Sequence, residues 1–411
     1  MRIDVSSDSF DVFQGYSRVL LQQGRPILDR DWNEQTSIVL HQLRALTRAI
    51  YGRHGGPAGG ECGFVPIVDG LRIRLRKGWY SVDGLLLSCE DDMDYMKQRY
   101  FEPAGLGAQK TYLVYLEAIE REVTAAEQGN LLDSALPGVD VAARGQMVWR
   151  VNHADWLSDP KDPASVKAPS SCRDAIEQAN IWSEFKRDQQ VPPTVPCPKG
   201  LEDKLADLAK KSPSQLLRAE CHSERIWKLS TDNAFALFKI VVPDKPSATK
   251  TNKITIELGV LDSWIPEKGN FVELLTEENV RFNEPGELLK VDALEARDPS
   301  SFENIDRQVI TLSGDVSGDN PFRFVRVWNS VWDSREEITC GDGGMPGDYW
   351  QFASRDSAPD FADAKLRRPT RVYAPLALIR TNADGKPLPD IERFQRIVGP
   401  QWREINKDVD L

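Results

Sequence analysis

ILDRDWNEQTSIVLHQLRALTRAIYG, residues Ile27 to Gly52, is the stretch around which the chain is organised. Within it, apolar or small residues fall at Trp32, Thr36, Val39, Leu43, Leu46 and Ile50, in steps of four, three, four, three and four. That spacing draws one narrow stripe along a helix, of the kind that faces a partner helix. Asp31 followed by Glu34 has capping-box spacing and sets the expected start: a short acceptor and a carboxylate three residues on satisfy two orphan N–H groups. Gly52 sets the expected end, because glycine tolerates the left-handed conformation after a last turn. At about 1.5 Å per residue the helix would run roughly 30 Å. The stripe has two uses, to lie on the chain's own core or to meet a copy of itself or a neighbouring subunit. Ile38, Leu40 and Ala45 add a second apolar strip off the seam, so both uses are compatible.

With 411 residues, 40% apolar and 28% charged, the chain has the length for two or three domains with a real core. The net charge of −11 argues against a nucleic-acid partner, since little counterion release is on offer. The most basic run, Leu71-Arg72-Ile73-Arg74-Leu75-Arg76-Lys77, alternates with apolar residues and reads as the solvated face of a strand. Six scattered cysteines (Cys62, Cys89, Cys172, Cys197, Cys221, Cys340) lack zinc-finger spacing and read as reduced, mostly structural thiols. MRIDVSSDSF has no signal-peptide pattern, and no apolar run approaches membrane-spanning length. Cytoplasmic synthesis and no membrane insertion are the expectations.

Outward from the helix, Arg53 to Gly60 (RHGGPAGG) reads as a flexible hinge without regular structure. The period then changes to two. Leu71–Arg76, Trp79–Val82 and Leu85–Ser88 read as strands, with Asp83-Gly84 as a hairpin turn whose central residues need positive φ. Thr111–Val123 and Gln146–Val151 extend the pattern. Proline-punctuated helical segments, Ser171–Lys186 and Leu201–Lys211, read as a surface insertion with charged faces. From Arg225 short strands return, over 234–242, 253–260, 271–275, 309–312, 322–328, 349–353 and 372–379. The expected architecture is α+β, mainly β: an arm and heptad helix over 1–55, a first β domain over 56–157, a helical insertion over 158–220, and a second β domain over 221–411, each β domain an antiparallel sandwich or barrel.

Signals for chemistry are thin. Asp315, Asp319, Asp342 and Asp348 sit in glycine-rich turns without the order of a calcium loop. Glu117 with Glu120, or Glu277 with Glu278, are the acid pairs a glycosidase reading would use, but a dyad is defined by separation across a fold. Cys221-His222 has no second ligand pair in register. No G-x-S-x-G elbow is present, and no catalytic residue, cofactor or metal is expected. Among eleven tryptophans, Trp328 and Trp332, beside Asn329 and Asp333, are the pair expected to be exposed for contact.

Several blocks resemble one known family. Phe13-Gln14-Gly15-Tyr16 with VLLQQGRPILDRDWNEQ (Val19–Gln35), then YLVYLEAIEREVTAAE and LLDSALPGVDVAARGQMVWRV, resemble a domain-of-unknown-function family associated with phage-tail-like contractile injection systems. Later segments similar to it are FALFKI, Gly269–Glu273, Pro285–Leu288, Phe324–Trp328, Gly347–Trp350 and Tyr373–Ile379, though the Ser-Arg-x-Asn-Gly usual after the first is missing. The resemblance implies a structural part of such a particle: a baseplate-associated adaptor, shell or attachment protein, present in multiple copies or as a homo-oligomer. Its implied partners are baseplate, sheath or tube-associated subunits, and it would leave the cell with the particle or by lysis. Phe13, Tyr16, Trp32, Thr36, Val39, Leu43, Leu46 and Ile50 are the expected assembly interface. Two other classes remain open, a carbohydrate-binding tail fibre or lectin and a polysaccharide-active enzyme.

Overall fold

In the computed structural model, described residues are 1–7, 9–58, 61–136, 140–156, 197–210, 216–223, 225–241, 251–258, 265–295, 307–316, 321–334, 346–355, 358–359, 361, 366–393 and 397–398. The elements run as α1 (Asp29–Tyr51), β1 (His54–Pro57), β2 (Pro66–Asp69), β3 (Arg72–Leu75), β4 (Gly78–Val82), β5 (Leu85–Cys89), β6 (Met93–Asp94), β7 (Thr111–Val123) and β8 (Arg144–Asp155). Then come α2 (Lys199–Ala209), β9 (Leu216–Ser223), β10 (Ile226–Ser230), β11 (Leu237–Ile240), β12 (Thr251–Glu257), β13 (Phe271–Leu275) and α3 (Glu277–Phe282). The chain continues through β14 (Glu287–Leu294), β15 (Arg307–Val316), β16 (Phe324–Trp328), β17 (Ser330–Asp333), β18 (Tyr349–Arg355), β19 (Ala358–Pro359), β20 (Arg371–Thr381), β21 (Pro387–Arg393) and β22 (Ile397–Val398). The architecture is mainly β and antiparallel, following an N-terminal arm and helix, as the sequence pattern predicts.

Two compact units share the chain. One comprises Met1–Thr36, Ile119–Val148 and Gln190–Thr370; the other comprises Ser37–Ala118, Trp149–Gln189 and Arg371–Leu411. In the first, a closed barrel has the strand order β11-β12-β15-β14-β13-β16, and closure removes exposed sheet edges. Its inward rows (Phe238, Ile256, Val272, Val291, Ile310, Val325) form one apolar core. A five-stranded sheet, β17-β10-β9-β18-β19, stacks Trp227 and Trp350 at 4.7 Å between ring centroids. In the second unit, β22-β1-β4-β5 and β2-β3-β6 form two small sheets. Arg72 and Arg74 are exposed while Ile73 and Leu75 are buried, the period-two pattern of a solvated strand face. Asp83 and Gly84 both have positive φ in the β4–β5 turn.

Four expectations need correction. Helix α1 begins at Asp29, not Asp31, because Asp29 and Glu34 accept from Ser6 and Ser9 of the arm instead of forming a capping box. Residues 54–57 form a strand, not a hinge: a Cβ on Gly56 would lie 2.4 Å from Cys62 Sγ, so glycine serves close packing there. Helix α2 is no surface decoration. Leu201, Leu205 and Ala209 are fully buried against the Trp227–Trp350 core, while Ser171–Lys186 lies outside the described residues. Finally, Cys221 is disulfide-bonded, whereas Cys62, Cys89 and Cys197 are free and buried.

Candidate assembly interface

Helix α1 is amphipathic the wrong way round for a helix that serves only its own fold. Its one buried residue is Ile38, 2% exposed. Ile38 lies on the face opposite the heptad stripe. On that same side the β4–β5 turn closes against the helix backbone, where a Cβ on Gly84 would lie 2.5 Å from Arg44 O and Arg48 reaches Asp83 at 3.5 Å. The seam points the other way. Trp32 is 70% exposed and Leu43 54%, and Thr36, Val39, Leu46 and Ile50 are exposed with them. Phe13 and Tyr16 of the arm are exposed too, as are Leu20, Leu21 and Ile27. Large apolar residues left exposed along one helix face mark a contact face. Gly52, with φ 75°, ends the helix as predicted, its N–H bonded to Arg48 O at 2.8 Å.

The arm is held at both ends. Near the helix, Ser6 donates its amide and hydroxyl to Asp29 at 2.8 and 2.6 Å, and Val19 N donates to Gln35 Oε1 at 2.8 Å. Burial works against the Asp29 carboxylate, yet the Ser6 bonds hold it below its ordinary range. At the other end, Arg2 sits in a buried ionic network. Its Nε and Nη2 donate to the two oxygens of Glu220 at 2.9 and 2.7 Å, Nη1 reaches Glu122 at 3.3 Å, and Asn283 accepts from it as well. Glu220 also accepts from Arg218 at 2.8 Å and pairs with Lys228 at 3.0 Å. Lys228 donates to both oxygens of Glu273 at 2.8 Å, and Trp328 Nε1 donates to Glu273 at 3.0 Å.

Burial alone would raise the carboxyls of Glu122, Glu220 and Glu273. Arg2 and Lys228 outweigh it and hold all three below their ordinary range. Burial and the nearby Arg2 charge bring Arg326 down to about 10. Arg2 itself is held high by Glu220 and Glu122 in spite of its burial.

Trp328 is therefore fully buried, and Trp332 is partly buried against the Trp227–Trp350 core; neither is the exposed contact aromatic expected. Trp79, 48% exposed, also shows a face. It lines a shallow cavity of about 270 Å³ with Tyr51, Gly55, Pro57, Ser81 and Leu86. Sequence reasoning also missed the ionic network. Its signal is single charges set inside apolar strand cores, as in LLRAEC (Leu216–Cys221), IWKLS, FVELL and FVRVW. Of the acids weighed for chemistry, Glu117 is buried and paired with Arg150 at 2.5 Å and Arg371 at 2.6 Å, and Asp348 pairs with Arg368 at 3.2 Å. Asp319 and Asp342 lie outside the described residues. Among the described residues no three His, Cys, Asp or Glu groups converge for a metal, and no helix is long and apolar enough to cross a membrane.

Residues 1–195 match the model of a family of unknown function, DUF6519. The match takes in the arm, the seam helix and the β7–β8 blocks; the later similar segments lie beyond it. No curated protein matches the chain. Among solved structures, the crystal structure of TssK is similar over 82% of this chain and 99% of its own, at 10% identity and a TM-score of 0.19. Likeness at that level carries no functional argument.

Proposed function

We propose that this chain is a structural subunit of a phage-tail-like contractile injection particle, a baseplate-associated adaptor, shell or attachment component that assembles through the outward seam of α1. One observation supports the assembly half: a helix whose own body takes Ile38 and leaves Trp32, Val39, Leu43, Leu46 and Ile50 to solvent. The particle half rests on the resemblance of the arm and helix motifs. The β units serve as rigid body, and no catalytic residue is assigned. A glycan-binding role draws less support, because the tryptophan pair it would use is buried or partly buried.

The test is incorporation. Tagged chain is co-expressed with the particle's other components, and the particles are pelleted and probed. Leu43→Asp with Leu46→Asp should leave the chain folded and in the supernatant, since each places a charge in a face that would otherwise be desolvated. Equal incorporation of the variant and the parent would refute the seam as the contact.

A further inference from the structure

We infer that the seam of α1 pairs antiparallel with the α1 of a second copy, in one register, and that Trp32 of each copy seats at the other copy's Tyr51–Trp79–Ser81–Leu86 cavity. This rests on the assembly reading above and names the partner. Three observations carry it.

The first is the order of side chains along the seam. Thr36, Leu43 and Ile50 alternate with Trp32, Val39 and Leu46 as the two core positions of a heptad. Turned antiparallel about the middle of the helix, Trp32 faces Ile50, Thr36 faces Leu46 and Val39 faces Leu43, each pair occurring twice about a two-fold axis. Every residue of the stripe finds a partner, as an isologous interface requires. A parallel pair would instead stack Trp32 on Trp32 directly beside Thr36 on Thr36, an overfilled layer next to an underfilled one. The antiparallel register sets large against smaller throughout.

The second is charge. The positions flanking the seam are Asn33, Leu40 and Thr47 on one side and Gln35, Gln42 and Ala49 on the other. None is charged. Flanking charges are what select a foreign helix and repel a like one, and here neither effect is present. In the antiparallel register Leu40 meets Leu40 across the axis and extends the apolar contact.

The third is the cavity at the end of the stripe. Tyr51, the residue after Ile50, forms one wall. In β1, β4 and β5, Gly55, Ser81 and Leu86 lie in one cross-strand row, and Gly55 adds no side chain to the floor. Ser81 is 1% exposed, and its Oγ has no hydrogen-bond partner among the described residues. That oxygen is out of a partner's reach, so what the cavity offers is the apolar and aromatic surface of Tyr51, Pro57, Trp79 and Leu86. A flat indole fits such a surface. Opposite Ile50 in the antiparallel register stands Trp32, with Leu20 the most exposed large apolar residue among the described residues.

Disulfide trapping tests the register against the parent chain run alongside, because among the described residues the free native thiols Cys62, Cys89 and Cys197 are buried. Leu40→Cys should form a reducible covalent dimer, as should the double variant Thr36→Cys with Leu46→Cys, and Leu46→Cys alone should not. Efficient trapping by Leu46→Cys alone would show parallel pairing and overturn the register. By sedimentation equilibrium, Trp32→Ala should weaken the dimer at least about tenfold, and Leu86→Ala by about fivefold in the parent background but not in Trp32→Ala. An equal Leu86→Ala effect in both backgrounds would overturn the cavity assignment. A chain that stays monomeric yet enters the particle would sink self-pairing and spare the assembly reading. A chain that dimerises in this register and never enters the particle would do the reverse.

Discussion

Arg2→Met removes a guanidinium that donates to both oxygens of Glu220 and reaches Glu122. Breaking a buried ion pair costs about 3–5 kcal/mol, mostly through the charge left behind. Here Glu220 keeps Arg218 and Lys228, and Glu122 keeps Arg326 at 3.8 Å, so neither carboxylate is stranded. The retained partners place the loss at the low end, about 3 kcal/mol, on the order of a hundredfold in the docked-to-open equilibrium of the arm. Urea unfolding at neutral pH and limited proteolysis before Asp29 would read it as a lower midpoint and a faster first cut. The sign of the pH effect follows from the carboxylates. Glu122, Glu220 and Glu273 are held below their ordinary range, so their stabilisation is complete above about pH 4.3 and disappears as pH falls through the folded values. Without Arg2 the folded values of Glu122 and Glu220 rise toward the ordinary one, so acid unfolding should set in at a higher pH. A variant within about 0.5 kcal/mol of the parent, with an unmoved acid limb, would refute the claim that this network holds the arm.

Two further outcomes follow from the same geometry. Ile38→Ala should destabilise the chain by about 2–5 kcal/mol in denaturant melts, whereas Leu43→Ala should stay within about 0.5 kcal/mol under conditions where the chain is monomeric, because only the first side chain is buried. Asp232 has its carboxyl pushed up to about 6 by burial, against a Thr231 hydrogen bond and with added repulsion from Asp4. A raised acid stabilises the fold in its neutral form, below about pH 4, and that contribution is lost as pH rises through 6. Asp232→Asn should therefore raise the melting temperature above pH 6 and leave it unchanged below about pH 4.

The seam helix was legible because periodicity is local: six residues at fixed steps define a stripe whatever lies around them. Its end at Gly52 and the Asp83-Gly84 hairpin are also local, and both stand as read. The helix start was not, because Asp29 and Glu34 spend their acceptor capacity on Ser6 and Ser9, more than twenty residues away. Gly56 reads as flexibility when its use is close packing, and only the position of Cys62 and Tyr80 makes that distinction. Trp328 misled for a related reason. Its polar neighbour Asn329 points inward to accept from Thr231 N at 2.8 Å, while the indole nitrogen finds Glu273. The ionic network joins residues up to 281 positions apart, beyond any window, although the lone charges within otherwise apolar strands announced that something had to meet them.

An exposed apolar stripe can mean only that a chain had nowhere to put it, and the rest of the structure speaks against that. The unit holding most of α1 buries Leu75, Tyr80, Val82, Leu113, Val114, Leu116 and Leu376 almost completely, so its core is filled without the seam. Within that unit the helix is fixed on its polar back by Ile38, the Gly84 contact and the Arg48–Asp83 pair. Rotation of α1 by half a turn would bury the stripe at the loss of every one of those contacts. Such anchoring lowers the entropy that a partner would otherwise have to remove on binding, which is the advantage of a preorganised surface. A stripe held rigidly outward on a completed core is thus a surface waiting for its complement, and that complement, not the interior, accounts for Trp32, Val39, Leu43, Leu46 and Ile50 being apolar.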